Sequence, residues 1–397
     1  MRPLENIRVL DLSRMVAGPF CSMSLGDLGA EIIKIEHPGK GDDSRQWGPP
    51  FVNGESAYFL SVNRNKKSVT VDLKKEAGQR LILDLVPHCD VVLDNFRPGT
   101  MDKYNLSYER LTALKPDLIY CSITGYGLTG PDRDKPATDP ILQARGGIID
   151  LIGEPGGEGF RLPIPIIDIT AGMQAYSSIL AAIIDRNTIG KGHFIEVSLL
   201  DTELSLFLNL ASNYLLAGIL PKRYGNAHPA IVPSGVFRAK DCRVYLSASS
   251  DIRWTRLCRA LGLDEFATDP RFKTAEARIA HRDDVNRVIQ EKIGEKNAAE
   301  WIKIIESCGG GIPFSPVNTF DNVFNDPQVR ERDIITQVHH PKTGNLSMIG
   351  IPVRYDGIRE DILRPPPLLG EHTDEVLSQL LHYEKETVAE LRTRKII

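Results

Sequence analysis

The chain has 397 residues, 42% hydrophobic and 25% charged; these values exclude a disordered or collagen-like chain and leave room for two or three domains. Lys and Arg number 48 against 52 Asp and Glu, a net charge of −4, which excludes the basic stripe that a nucleic-acid binder needs. The six Cys form no CxxC pair, so neither a disulfide framework nor a structural zinc site is expected, and reduced thiols fit a reducing compartment.

The first 130 residues alternate strand and helix signals. Ile7-Arg8-Val9-Leu10-Asp11-Leu12 is a short apolar run that predicts a strand; no apolar segment precedes it, so no secretory signal is expected. Ala17-Gly18-Pro19 follows, with Pro19 suited to the first turn of a helix that runs to Gly29. Residues 30–36 are a second strand, a polar loop continues to Trp47, and residues 68–73 are a third strand. A helix over 76–87 places Leu81, Ile82 and Leu85 on one face, and residues 91–93 and 118–123 are two more strands. Strands separated by helices predict βαβ units and a mostly parallel sheet.

The texture changes near Ile141. Gly146-Gly147 and the loop from Gly153 to Gly159 lead to Arg161 and then to Pro165-Ile166-Ile167-Asp168. A long apolar helix follows through Ile179, Ala182 and Ile183, then a strand at 194–197 and a second apolar helix. Residues 204–221 carry no charge but four polar side chains, which reads as a buried helix and not a membrane span. The Gly-, Pro- and His-rich stretch 223–234 is a connector to a second domain, with a strand at 244–248 and a helix carrying Trp254, Leu257, Cys258 and Leu261. Pro365-Pro366-Pro367 stiffens the tail before an amphipathic helix at 374–381.

Common motifs are missing: there is no P-loop, no GxSxG elbow and no HExxH. The one GxGxxG match, Gly125 to Gly130, follows a strand but precedes Pro131-Asp132 rather than a helix, which disfavours a nicotinamide dehydrogenase. The nine His are scattered, so no metal is expected. Glu154 and Glu158 make the 153–159 loop a turn rather than a phosphate cradle. Asp168 is the only charged residue between Arg161 and Asp185. It reads either as the N-cap of the following helix or as an ionised nucleophile in an apolar niche. Basic loop residues, among them Arg14, Arg45, Arg64, Lys74, Arg97 and Lys103, lie where an open parallel sheet binds ligands, beyond the strands' carboxyl ends.

Taken in order, these pieces resemble the class III (family III) CoA-transferases, the formyl-CoA transferase and carnitine CoA-transferase family. The resemblance rests on Val9-Leu10-Asp11-Leu12-Ser13-Arg14 before Ala17-Gly18-Pro19, on residues 28–36, on Gly41-Asp42-Asp43-Ser44-Arg45, and on Asn63-Arg64-Asn65-Lys66-Lys67-Ser68. It continues through Asn95-Phe96-Arg97-Pro98-Gly99, Gly125-Tyr126-Gly127 and Leu369-Gly370-Glu371-His372-Thr373. Trp47-Gly48-Pro49-Pro50-Phe51-Val52 and the 364–369 segment are similar to the succinyl-CoA:glutarate (dicarboxylate) type within that family.

The resemblance implies an α/β fold: a Rossmann-like large domain with a smaller α/β domain, as an interlocked homodimer. The implied division is 1–225 and 326–397 for the large domain and 226–325 for the small one. It also implies a CoA-transferase that moves CoA from an acyl-CoA, succinyl-CoA here, to a carboxylic acid such as glutarate. The route would pass through an aspartyl-CoA thioester, with Asp168 as nucleophile and Asp139 as the acidic residue beside it. CoA contacts would fall on Arg14, Val16, Ala17, His37, Val71, Lys74, Asn95, Phe96, Arg97, Lys103 and Tyr104. No metal, nucleic acid or membrane is implied. The compartment would be the cytoplasm, or the mitochondrial matrix for a mature eukaryotic form. A dicarboxylate needs a cation for its distal end, for which Arg161, Arg45 and Arg64 are open candidates. Gly225-Asn226-Ala227-His228-Pro229 departs from the glycine run of formyl-CoA transferase, which puts formyl transfer in doubt. Asp139 is flanked by Thr138 and Pro140 where related 2-methylacyl-CoA racemases carry a His, which weighs against racemisation. A silent CoA-ester-binding protein is the remaining alternative.

Overall fold

The computed structural model describes residues 2–397. The chain forms two compact units. The first joins the N-terminal segment up to Ile148 with Arg161–Ile219 and Arg332–Ile397; the second comprises Ile149–Phe160 and Leu220–Glu331.

The first unit is built on six parallel strands: β1 (Arg8–Asp11), β2 (Glu31–Glu36), β3 (Lys66–Thr70), β4 (Val91–Asp94), β5 (Ile119–Thr124) and β6 (Phe194–Ser198). Their order across the sheet is β3-β2-β1-β4-β5-β6. Leu10 is in register with Ile33 on one side and Val92 on the other. Helices cover both faces, so the central strands read as apolar runs rather than alternating ones; Val9, Leu10, Ile33, Val91 and Val92 are fully buried. Each such side chain contributes roughly 1.5–3 kcal/mol of burial. The order reverses between β1 and β4, which makes the crevice there the switch point of a doubly wound sheet.

Helix α1 (Ala17–Asp27) follows β1 and α2 (Ala57–Ser61) precedes β3. In α3 (Glu76–Leu85), Gly78, Leu81, Ile82 and Leu85 turn inward while Glu76, Arg80 and Asp84 face water. Short helices α4 (Thr100–Lys103) and α5 (Tyr108–Leu114) lead to β5, and α6 (Asp139–Gly146) and α7 (Ile166–Ile189) lead to β6. Gly172 brings α7 against α1 so closely that a Cβ there would sit 2.6 Å from the Ala17 carbonyl. The tail packs Val376, Leu377, Val388 and Ile396 into the same core as α3, and the Asp72 N–H donates to the Ile396 carbonyl at 2.8 Å.

The apolar stretch after β6 departs from its expected burial. It forms α8 (Leu199–Leu206) and α9 (Leu208–Ala217), broken at Leu208 with φ +41°. α8 buries Leu199, Thr202 and Glu203, whereas α9 buries nothing. Leu215 and Leu216 are 77% and 86% exposed.

The second unit has a three-stranded antiparallel sheet of β7 (Ser234–Arg238), β8 (Arg243–Ser247) and β9 (Phe314–Pro316), with β8 central. Helices α10 (Asp251–Leu261), α11 (Arg282–Ile293) and α12 (Ala298–Ser307) supply Trp254, Leu257, Val285, Ile289 and Trp301 to its core. The 153–159 loop is held in this unit by the Gly225 N–H on the Gly153 carbonyl (3.1 Å) and by Arg223 on Asp150 (2.8 Å).

Candidate active site

Around the carboxyl ends of β1 and β2 and the amino end of β3 a buried set of charges shapes the turn into α1. Lys34 pairs with Asp42 at 2.8 Å and donates to the Ser13 carbonyl at 2.9 Å. Asp42 accepts the Met15 N–H at 3.1 Å, which holds Met15 at φ +70°. Lys66 donates to the Pro19 carbonyl and Asn63 Oδ1 at 2.8 and 2.9 Å and faces Asp11 at 3.5 Å. Burial works to raise the Asp11 and Asp42 carboxyls, yet the neighbouring lysines outweigh it and both end below the ordinary range. Burial wins at Lys66, whose ammonium is lowered to about 7.

Above this network lies a cavity of about 250 Å³. Arg14, His37, Lys40 and Lys74 line one side of it together with Glu36, Asp42, Asp43 and Asp72, of which Glu36, Asp42 and Asp43 are paired to Arg45, Lys34 and Arg14; Leu12, Ile35, Val71, Phe96 and Tyr104 give it an apolar side. Such a slot suits a ligand with phosphates beside a flat ring. Asn95 closes the switch point by accepting the Arg14 N–H (2.8 Å) and donating to the Arg14 carbonyl (2.7 Å). The Arg14 guanidinium lies 5.3 Å from the Phe96 ring centre.

Asp168 is not the N-cap. Pro165 holds that position without a side-chain bond, and Asp168 is the third residue of α7. The cap comes from another element: Asp139, first residue of α6, accepts the N–H of Ile167 at 2.8 Å and of Asp168 at 3.2 Å. Gln143, one turn along α6 and fully buried, donates to the other Asp139 oxygen at 2.5 Å. The helix N-terminus favours an ionised Asp168. Burial and then the negative charge of Asp139 oppose it, and the Asp168 carboxyl is pushed up to about 7. Behind α6, fully buried Glu203 leaves its Oε2 without a partner and is also raised to about 7, first by burial. A Cβ at Gly146 would lie 2.1 Å from that carboxyl, which is why a glycine stands there. Tyr58 faces the same corner: burial, then Asp168 and Asp139, raise its phenol, and Trp47 packs edge-on against its ring at 4.9 Å.

The expected residues therefore fall into groups. Arg14, His37, Val71, Lys74, Phe96 and Tyr104 line the 250 Å³ cavity. Val16 and Ala17 are buried at the start of α1, and Asn95 braces Arg14. Arg97 lines a neighbouring cavity of about 400 Å³ instead, together with Asp94, Tyr108 and Tyr120. Lys103 is exposed at the end of α4 and lines neither. Of the three arginine candidates, Arg45 makes two 2.7 Å bonds to Glu36, and Arg64 pairs with Asp27 at 2.8 and 2.6 Å. Only Arg161 of these is exposed and, among the described residues, lacks a carboxylate partner. Sequence reasoning missed Gln143 and Tyr58. The i,i+4 spacing from Asp139 is a signal for Gln143; Tyr58, more than a hundred residues from Asp168, has none.

The family model for CoA-transferase family III matches residues 4–373. The mouse (Mus musculus) succinyl-CoA:glutarate CoA-transferase is 40% identical over 397 residues, all of this chain and 91% of that protein. The succinate–glutarate CoA-transferase of Agrobacterium fabrum is 38% identical over 96% of this chain and 97% of its own. The crystal structure of a CAIB/BAIF family protein from Brucella suis matches with a TM-score of 0.84 and 37% identity, covering 95% of this chain and 99% of that one.

Proposed function

The chain belongs to CoA-transferase family III and is an acyl-CoA:carboxylate CoA-transferase, and we propose that it carries CoA from succinyl-CoA to glutarate through a thioester on Asp168. The observation that supports this most is the Asp168 carboxylate itself: partly exposed at the start of α7, facing Asp139, with no cation bonded to it among the described residues.

The Asp168 carboxylate attacks the thioester carbonyl of succinyl-CoA, forming a mixed anhydride and expelling CoA thiolate. The thiolate attacks the aspartyl carbonyl of that anhydride, releasing succinate and leaving an Asp168–CoA thioester. Glutarate then attacks this thioester, giving a second mixed anhydride and free thiolate. The thiolate takes the glutaryl carbonyl, and the Asp168 carboxylate is restored. No proton is gained or lost, so the site needs a nucleophile and exclusion of water rather than an acid–base pair. Asp139 acts by capping α7 and fixing the Asp168 backbone.

In this reading Arg14, His37 and Lys74 hold CoA phosphates, while Val71, Phe96 and Tyr104 receive its adenine. Asn95, Val16 and Ala17 fix the wall along which the pantetheine runs, and Arg97 and Lys103 serve the rim. Arg161, one residue from the Leu162 amide that Gln143 holds, takes the distal carboxylate of the diacid. The bare apolar face of α9, with Tyr214, Leu215 and Leu216, supports a homodimer in which a second copy covers it. Six free cysteines support a reducing compartment, the cytoplasm or, for a mature eukaryotic form, the mitochondrial matrix.

Purified protein mixed with succinyl-CoA and a panel of glutarate, malate, oxalate, itaconate, formate and carnitine tests the activity by mass spectrometry. The expected result is glutaryl-CoA with stoichiometric succinate. No exchange with any acid, together with deuterium uptake into 2-methylacyl-CoA, would make it a racemase.

A further inference from the structure

Gln143 makes more contacts than a space-filling core amide needs. Its Nε2 donates to Asp139 Oδ1 at 2.5 Å and, at 3.4 Å, to the Leu162 carbonyl; its Oε1 accepts the Leu162 N–H at 2.8 Å. One fully buried side chain thus ties the N-terminus of α6, the chain at Leu162 and, through Asp139, the N-terminus of α7. Between Leu162 and α7 lie Pro163 and Pro165, which have no N–H and restrict the backbone, so the segment entering α7 has few bonds of its own to define it.

We propose that Gln143 is a positioning residue of the transferase, its two-ended amide fixing Asp139 and Leu162 so that Asp168 meets the thioester in line. The inference rests on Asp168 being the nucleophile. An amide is suited to this place because it donates to a carboxylate with one end and accepts a backbone N–H with the other. A glutamate can do both only while protonated; once charged it confronts Asp139. A methionine of similar size does neither. The ionisable groups facing this corner are Asp139, Asp168, Glu203 and Tyr58, all acids, and Arg161 beside Leu162 is exposed to water, so its charge is screened from a buried glutamate.

The experiment compares wild type, Gln143→Glu and Gln143→Met for kcat, for KM toward succinyl-CoA, and for the CoA adduct on Asp168, from pH 5 to 8.5, with melting temperatures measured alongside. Wild type should gain rate as pH rises through about 7. Gln143→Glu should approach the wild-type kcat at pH 5 and lose about 100-fold at pH 8, the scale of a misplaced reacting group. KM and fold should stay unchanged. Gln143→Met should lose kcat at every pH. A Gln143→Glu profile parallel to wild type, or losses that follow only the melting temperature, would overturn the proposal. If wild type itself shows no adduct on Asp168, the nucleophile reading has failed; if wild type shows it and the variants keep wild-type kcat, only the role of Gln143 has failed.

Discussion

Two groups of buried or half-buried acids lie in the first unit, and they are handled in opposite ways. At the ends of β1 and β2, Asp11, Glu36 and Asp42 face Lys34, Arg45 and Lys66, and every carboxyl sits below its ordinary range. At the ends of α6 and α7, Asp139, Asp168 and Glu203 face one another with no cation bonded to them among the described residues, and Asp168 and Glu203 are raised to about 7. Desolvation opposes the charge in both places. Ion pairing offsets it in the first, where the charges hold a turn; in the second only neutral hydrogen bonds and a helix N-terminus oppose it, and there the proposal places the reacting carboxylate. Absence of a paired cation therefore distinguishes the proposed site from the scaffold.

The contrast predicts a graded set of outcomes. Asp168→Ala should reduce exchange by more than about three orders of magnitude while calorimetry finds CoA binding unchanged, because the residues proposed to hold CoA, Arg14, His37 and Lys74, line a cavity that Asp168 does not line. Next in size, Lys34→Met leaves Asp42 charged, buried and unpaired; denaturant unfolding should report a loss of about 3–5 kcal/mol. Glu203→Gln, on the uncompensated side, should be neutral or stabilising at pH 8; a loss as large as that of Lys34→Met would erase the distinction. Arg161→Ala should raise KM for glutarate about tenfold, on the scale of one charge-assisted bond, and leave a monocarboxylate acceptor unaffected.

The smallest effect is on stability. Asp168 is raised when folded, so the stability it contributes is complete below pH 3.8 and is lost as pH rises through about 7. Asp168→Asn removes that loss. It should exceed wild type by about 1 kcal/mol at pH 8, discounting for partial exposure, and show no advantage at pH 4, as thermal melts at the two pH values would measure.

Much of this was legible in the chain itself. β1, β2, β4 and β5 stand out as largely apolar runs because both faces of the sheet are covered, whereas β3, Lys66–Thr70, starts two residues before the strand expected at 68–73. Asp168 stands out because it is the lone charge in its stretch. Asp139 is placed beside it only by the family resemblance: it caps α7 from 29 residues upstream, and no local spacing reveals a partner so distant. Lys66 opens β3 fully buried, where a lysine argues for a loop until its partners are known. Arg45 and Arg64 looked like free cations until Glu36 and Asp27 were found on them. The composition of α9 reads as core, and composition cannot tell whether an apolar helix is covered by its own chain or by another.

In the proposed reaction the unpaired Asp168 carboxylate carries CoA. Intact and peptide mass spectrometry of protein incubated with succinyl-CoA and rapidly quenched tests it directly. The expected result is one CoA added with loss of one water, on the peptide containing Asp168, and discharge of that adduct by glutarate. An adduct on another residue, or exchange at full rate with no adduct, would contradict it.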